Sequence, residues 1–229
     1  ITWSLVGSEM CIRDRYDITS EDFDNDGDMD LVVGNLGNNY KYQANEDETF
    51  DIFYNDFDGN NSGDIVLSYY NDGEQYPLRG RQCSSEQIPA IKLKFDDYDA
   101  FSIATLEDVY TEPALENSLH YFTKTFSSVY LENVGNSFTM SKLPVLAQLS
   151  SVNKILKKDI DDDGFVDIII SGNMFNSEVE TPRNDGSVGA LLKFEPNSGF
   201  KAIPARQSGL FLNGNIKDME FISLKNNDY

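Results

Sequence analysis

Residues 22–35 read DFDNDGDMDLVVGN, and the same text returns twice, as DFDGNNSGDIVLSYY at 56–70 and DIDDDGFVDIIISGN at 159–173. Counting from the first aspartate, every copy places an oxygen-bearing side chain at positions 1, 3, 5 and 9. These are Asp22, Asp24, Asp26 and Asp30, then Asp56, Asp58, Asn60 and Asp64, then Asp159, Asp161, Asp163 and Asp167. Glycine holds position 6 in the first and third copies (Gly27, Gly164), and Asn61 replaces it in the second. A short β-branched run follows each loop at once, as expected of a strand. FDIFYN and NKILKK, ahead of the second and third loops, are also strand-like. The repeated unit is therefore strand, acidic loop, strand, and the fold class expected is all-β.

Alternate carboxylates in a tight loop turn toward a common point, and a hard cation with about 6–8 oxygen ligands suits that arrangement. The main-chain carbonyl at position 7 (Asp28, Ser62 or Phe165) is expected to join the shell, with the position-9 carboxylate closing it. An EF-hand would need glutamate at position 12, where Val33, Leu67 and Ile170 stand, and helices where these loops have strands. Magnesium prefers to keep its waters, and zinc lacks nitrogen and sulfur donors here, so calcium at about three sites is the expectation. Asn60 and Asn61 make the second loop the weaker one, or demand a left-handed asparagine.

Composition agrees. The chain of 229 residues carries 39 acidic and 18 basic side chains, a net charge of −21. That surface repels phosphate backbones and anionic lipid, which argues against nucleic-acid binding. No apolar run approaches the roughly 18 residues of a membrane span. With 40% apolar residues the chain can build a core.

Asp22 and Asp56 lie 34 residues apart, and Asp56 and Asp159 lie 103 apart. Four short strands need roughly 40–60 residues, so the first unit has one strand missing or very brief and the second gap holds an insertion. That insertion reads as helical over about 84–122, with Phe101, Ile103, Leu106, Val109 and Tyr110 on one face. Asp99 or Ser102 is a candidate cap there, and Thr111 with Pro113 opens a further short helix. Strands resume with SSVYLEN and SFTMSKLP; DIIISGN, SVGALLKFE and GFKAIP complete the third unit, and a fourth opens at NGNIKDMEFISL.

The D-x-D-x-D-G-x-x-D loop followed by LVVGN or IIISGN resembles the FG-GAP/VCBS repeat. DFDGNNSGDIVLSYY, YPLRGRQCSSEQIP and LPVLAQLS paired with KKDIDDDGFVDIIISGN are similar to bacterial cartilage-acidic-protein-like (ASPIC/UnbV-associated) VCBS sequences. The resemblance covers about residues 17–229 and implies an integrin-α-like β-propeller with calcium in its strand-connecting loops. It implies about seven blades in a whole propeller, of which this chain would hold three to four. Calcium-dependent adhesion or recognition of a protein or carbohydrate ligand follows as its expected function, on an extracellular, cell-surface or periplasmic protein. The rival expectation is a piece of a propeller enzyme acting on polysaccharide.

Residues 5–14, LVGSEMCIRD, resemble the in-frame translation of a sequencing adapter, so residues 1–15 are read as non-native and 16–229 as the partial propeller. A natural first strand from Ile1 to Val6 is the alternative. The closing SLKNNDY reads as a cut end, and any signal peptide is expected to lie outside this fragment. Elsewhere, His120 has no evident orienting partner or nucleophile and reads as a packed or surface residue. Cys83 reads as a buried structural thiol, with a reactive thiol beside Arg79 and Arg81 as its alternative, and the two arginines read as partners of local carboxylates, with a carboxylated ligand as theirs. Asn60-Asn61-Ser62 is a formal glycosylation sequon inside a metal loop.

Overall fold

A computed structural model describes residues 16–177, 181–224 and 227–228; the adapter-like residues 1–15 lie outside them. The described chain is mainly β, with twelve strands in three four-stranded antiparallel sheets and a two-residue pairing of Ser223–Leu224 with Asn227–Asp228. It divides into two compact units, one of Ile1–Lys41 with Phe126–Tyr229 and one of Tyr42–Thr125.

The first unit holds two sheets. One consists of β1 (Asp17–Glu21), β2 (Asp30–Gly34), β7 (Val129–Asn133) and β8 (Phe138–Lys142), in that spatial order. The other is a meander of β9 (Val152–Lys158), β10 (Asp167–Gly172), β11 (Ala190–Glu195) and β12 (Gly199–Ile203). Alternation along β11 buries Ala190, Leu192 and Phe194 and leaves Leu191, Lys193 and Glu195 half-buried, as a two-residue period requires. The inward residues Phe23, Val32, Tyr130, Ile155, Ile168, Leu192 and Phe194 form one core. Each such side chain contributes about 1.5–3 kcal/mol by leaving water. The two sheets also meet through polar contacts: Ile155 N–H donates to Asp17 Oδ2 at 2.8 Å, and Lys157 pairs with Glu21 at 2.7 Å.

The glycines of LVVGN and IIISGN, Gly34 and Gly172, have a packing role. A Cβ on Gly34 would lie 2.5 Å from the Val152 carbonyl oxygen, and one on Gly172 would lie 1.7 Å from that of Ser151. Only glycine lets the backbones pass this closely.

The second unit is a sheet ordered β5-β4-β3-β6, from β3 (Phe50–Asn55), β4 (Asp64–Asn71), β5 (Glu74–Pro77) and β6 (Leu119–Thr123). Five short helices separate β5 from β6: α1 (Arg81–Gln87), α2 (Ala90–Lys94), α3 (Tyr98–Ser102), α4 (Leu106–Tyr110) and α5 (Glu112–Glu116). Ile88, Ile91, Phe101, Leu106, Val109 and Leu115 pack with Phe53 and Val66 of the sheet. Asp97, rather than Asp99 or Ser102, caps α3 by accepting from Ala100 N–H at 2.8 Å. Thr105 and Asp108 form a reciprocal capping box on α4.

Four expectations are revised. The helical face breaks between α3 and α4, which leaves Ile103 78% exposed. The end of the segment expected to be helical, Leu119–Thr123, is a strand paired with β3. The strands that complete the first sheet are β7 and β8, so the whole second unit is inserted between β2 and β7. Sequence order alone assigns those strands to no unit, since consecutive strands usually pair and these follow the insertion. Of residues 213–224, expected to open a fourth unit, only Ser223–Leu224 form a strand, a two-residue pairing with Asn227–Asp228.

Candidate metal centres

Each acidic loop joins two antiparallel neighbours: β1 to β2, β3 to β4, and β9 to β10. The three are wired alike. The position-1 carboxylate uses both oxygens on main-chain N–H groups at positions 5 and 6. Asp22 accepts from Asp26 and Gly27, both at 3.0 Å; Asp56 from Asn60 at 3.0 Å and Asn61 at 2.8 Å; Asp159 from Asp163 at 3.2 Å and Gly164 at 2.9 Å. The position-5 oxygen accepts from the N–H of position 7: Asp26 from Asp28 at 2.9 Å, Asn60 from Ser62 at 2.7 Å, Asp163 from Phe165 at 2.9 Å. Asn60 thus makes the bond that aspartate makes elsewhere, because only a side-chain oxygen is needed.

The bend has two left-handed residues in every copy, at positions 4 and 6. They are Asn25 (φ 61°) and Gly27 (φ 99°), Gly59 (φ 73°) and Asn61 (φ 65°), Asp162 (φ 58°) and Gly164 (φ 89°). The second loop therefore moves its glycine to position 4 and sets a left-handed asparagine at position 6. Asparagine and aspartate tolerate this conformation better than other side chains with a Cβ.

Position 9 differs from the rest. Asp30, Asp64 and Asp167 are almost fully buried. Each accepts the N–H of position 2: Phe23 at 3.2 Å, Phe57 at 3.0 Å and Ile160 at 3.2 Å. Asp30 and Asp167 also reach the third strand, taking Asn133 N–H at 2.8 Å and Phe194 N–H at 3.1 Å. Tyr130 Oη–H adds a bond to Asp30 at 2.7 Å. Position 9 is thus a clamp between loop and sheet as well as a candidate ligand.

Carboxylate oxygens of Asp22, Asp24 and Asp26 lie within 4.8 Å of one another, as do those of Asp56, Asp58 and Asp64, and those of Asp159, Asp161 and Asp163. The donor set is all oxygen, which fits a calcium-type cation. Crowding has an electrostatic cost. Burial first, then neighbouring carboxylates, push Asp24, Asp64 and Asp167 above the usual carboxylate range, against the pull of their N–H partners. Loops 1 and 3 also touch, through Asn25 Nδ2–H donating to the Gly164 carbonyl at 3.0 Å.

The third loop carries a cation of its own. Lys193 Nζ of β11 contacts Asp161 and lies 2.9 Å from Asp163 Oδ2. The Phe165 N–H and then this ammonium hold the Asp163 carboxyl below the usual range. In loops 1 and 2, by contrast, the position-3 oxygens of Asp24 and Asp58 accept the position-5 N–H, both at 3.2 Å.

The remaining candidates change character. His120 does have an orienting partner. Its Nε2 is 2.5 Å from Oδ1 of buried Asp51, which also accepts from Thr49 Oγ1–H at 2.6 Å, and its ring stacks on Phe53 at 4.2 Å. It lines a recess of about 300 Å³ with Glu107, Glu112 and Glu116. No local motif joins Asp51 to His120, since strand pairing alone brings them together. Cys83 is an exposed free thiol rather than a buried one. Arg81 bonds main-chain carbonyls, Phe95 at 2.7 Å and Asp96 at 3.1 Å, and Arg79 bonds Gln87 Oε1 at 3.3 Å, so neither takes the local carboxylate expected of it. Among the aromatics, Phe23, Phe194, Phe200 and Tyr130 pack on one another inside the first unit. No protein-family model, curated protein or solved structure matches this chain.

Proposed function

We propose that the three acidic loops bind calcium and that the chain is a piece of a calcium-stapled β-propeller. It would serve as an adhesion or recognition module of an extracellular or cell-envelope protein, with a protein or carbohydrate ligand. The observation that carries the metal reading is the repeated wiring: three sequences, one with asparagine at positions 5 and 6, fold into the same bend and gather carboxylates within one ion's reach. Unrelated solvated turns have no reason to share it. The blade reading is supported by the meander β9-β10-β11-β12, four antiparallel strands in chain order, which is the form of a propeller blade. Calcium here is structural. It neutralises carboxylates that otherwise repel, and it favours the folded chain by mass action. Extracellular calcium is high enough to fill sites of modest affinity.

Equilibrium dialysis with metal analysis tests this on the wild type and on Asp24→Ala/Asp26→Ala. The variant is expected to lose about one ion per chain, because calcium needs those oxygens to fill its shell. An unchanged ion count in the variant, or no bound calcium in the wild type, overturns the reading.

A further inference from the structure

Loops 1 and 3 sit at matching places in their sheets, and the third strand passes each in the same register. Leu31 pairs with Leu131 and Asn133 N–H reaches Asp30; Ile168 pairs with Leu192 and Phe194 N–H reaches Asp167. The residues between those contacts, Glu132 and Lys193, are therefore structural equivalents with opposite charges. The Lys193 ammonium already bridges Asp161 and Asp163, where a metal ion would draw its charge. Glu132 stands between Leu131, which pairs with Leu31, and Asn133, whose N–H reaches Asp30 of the first loop. The second loop has no counterpart, since β5 pairs with β4 only from Ser68 to Asn71, away from Asp64.

We propose that this third-strand position sets the cation affinity of its loop: Glu132 strengthens loop 1, and Lys193 is a tethered cation that a divalent ion must displace from loop 3. The inference rests on the loops being calcium sites. Its physical basis is competition. An ammonium held by the chain is always present at the two carboxylates, removes a unit of negative charge, and satisfies their oxygens without metal. A glutamate at the same place does the opposite, adding charge that only a bound cation relieves. Loop 1 therefore fills first, and loop 3 fills last while keeping its bend in the metal-free protein.

Calcium titration by calorimetry at fixed ionic strength tests this on the whole chain. The variants are Lys193→Gln, Glu132→Gln, and Lys193→Gln combined with Asp161→Ala/Asp163→Ala. The wild type is expected to show one step at least tenfold weaker than its tightest. Lys193→Gln tightens that weakest step tenfold or more, and the added aspartate changes abolish the gain. Glu132→Gln weakens the tightest step several-fold. If Lys193→Gln leaves the weakest step unchanged while calcium still binds, the inference fails and the loops remain calcium sites. If neither the wild type nor Lys193→Gln takes up calcium, the calcium reading fails and the inference with it. Circular dichroism of each variant in calcium and in chelator confirms that the titrations compare folded chains.

Discussion

Replacing Asp30 by alanine removes the acceptor for three donors at once. Asp30 is fully buried, and it takes Phe23 N–H at 3.2 Å, Tyr130 Oη–H at 2.7 Å and Asn133 N–H at 2.8 Å. Each donor left unpaired away from water costs about 1–3 kcal/mol. Asn133 is only partly buried and regains some water, so the total is set at about 3–5 kcal/mol, a large share of a domain's usual 5–15. The loss should appear in chelator, since the clamp needs no metal. Asp26→Ala is the contrast. Asp26 is exposed and accepts one bond, from Asp28 N–H, so its loss in chelator should stay below about 1 kcal/mol. Asp26→Ala should instead reduce the stabilisation that calcium confers. Tyr130→Phe lies between, at about 1 kcal/mol, because Asp30 keeps both main-chain donors. Burial first, and then the Asp30 carboxylate, push the Tyr130 phenol above its ordinary value, so it remains a donor throughout the neutral range. Urea unfolding followed by far-ultraviolet circular dichroism, with chelator and again with calcium, measures all of these. If Asp30→Ala costs no more than Asp26→Ala in chelator, position 9 is not the clamp described.

Thr105→Ala should destabilise the chain by about 1 kcal/mol through loss of the α4 cap. The Thr105 N–H first and its hydroxyl second hold the Asp108 carboxyl below its ordinary 3.8. This part of the stability is therefore complete above pH 3.8 and is lost as the pH falls through the lower folded value, and Asp108→Asn should flatten acid unfolding curves over that window. Gly164→Ala forces a Cβ into φ 89° and should cost about 1–2 kcal/mol, whereas Asn61→Gly, at φ 65°, should be neutral or slightly stabilising in thermal melts. Gly172→Ala would press a Cβ to 1.7 Å from the Ser151 carbonyl, so the first unit should unfold at markedly lower urea concentration; wild-type-like unfolding would contradict the close approach.

The parts of this structure that were legible in the sequence are local. Loop spacing, the strands after each loop and the left-handed demand at Asn61 all follow from residues a few positions apart, where side-chain oxygens and backbone sterics act directly. What was hidden depends on pairing across long stretches of chain. Nothing in VVG or SVYLE says that β2 pairs with β7 rather than with β3, because both candidates offer similar β-branched faces. The His120–Asp51 contact and the opposed Glu132 and Lys193 were invisible for the same reason: strand register creates each of them, and no local motif does, whereas the buried Arg81 is set by the packing of α1 against the carbonyls that follow α2. The exposure of Ile103 has a nearer cause. The helix stops after Ser102 and restarts behind the Thr105 cap, so the regular 3.6-residue period assumed for that face does not exist.

Diffraction from crystals grown in calcium, with data collected for anomalous signal, addresses the metal reading most directly. Peaks are expected beside Asp22, Asp24 and Asp26 and beside Asp56 and Asp58, ringed by oxygens at about 2.3–2.6 Å, with a weaker peak beside Asp161 and Asp163. Well-ordered loops without any such peak at high calcium, or peaks only at other places on the surface, would contradict it.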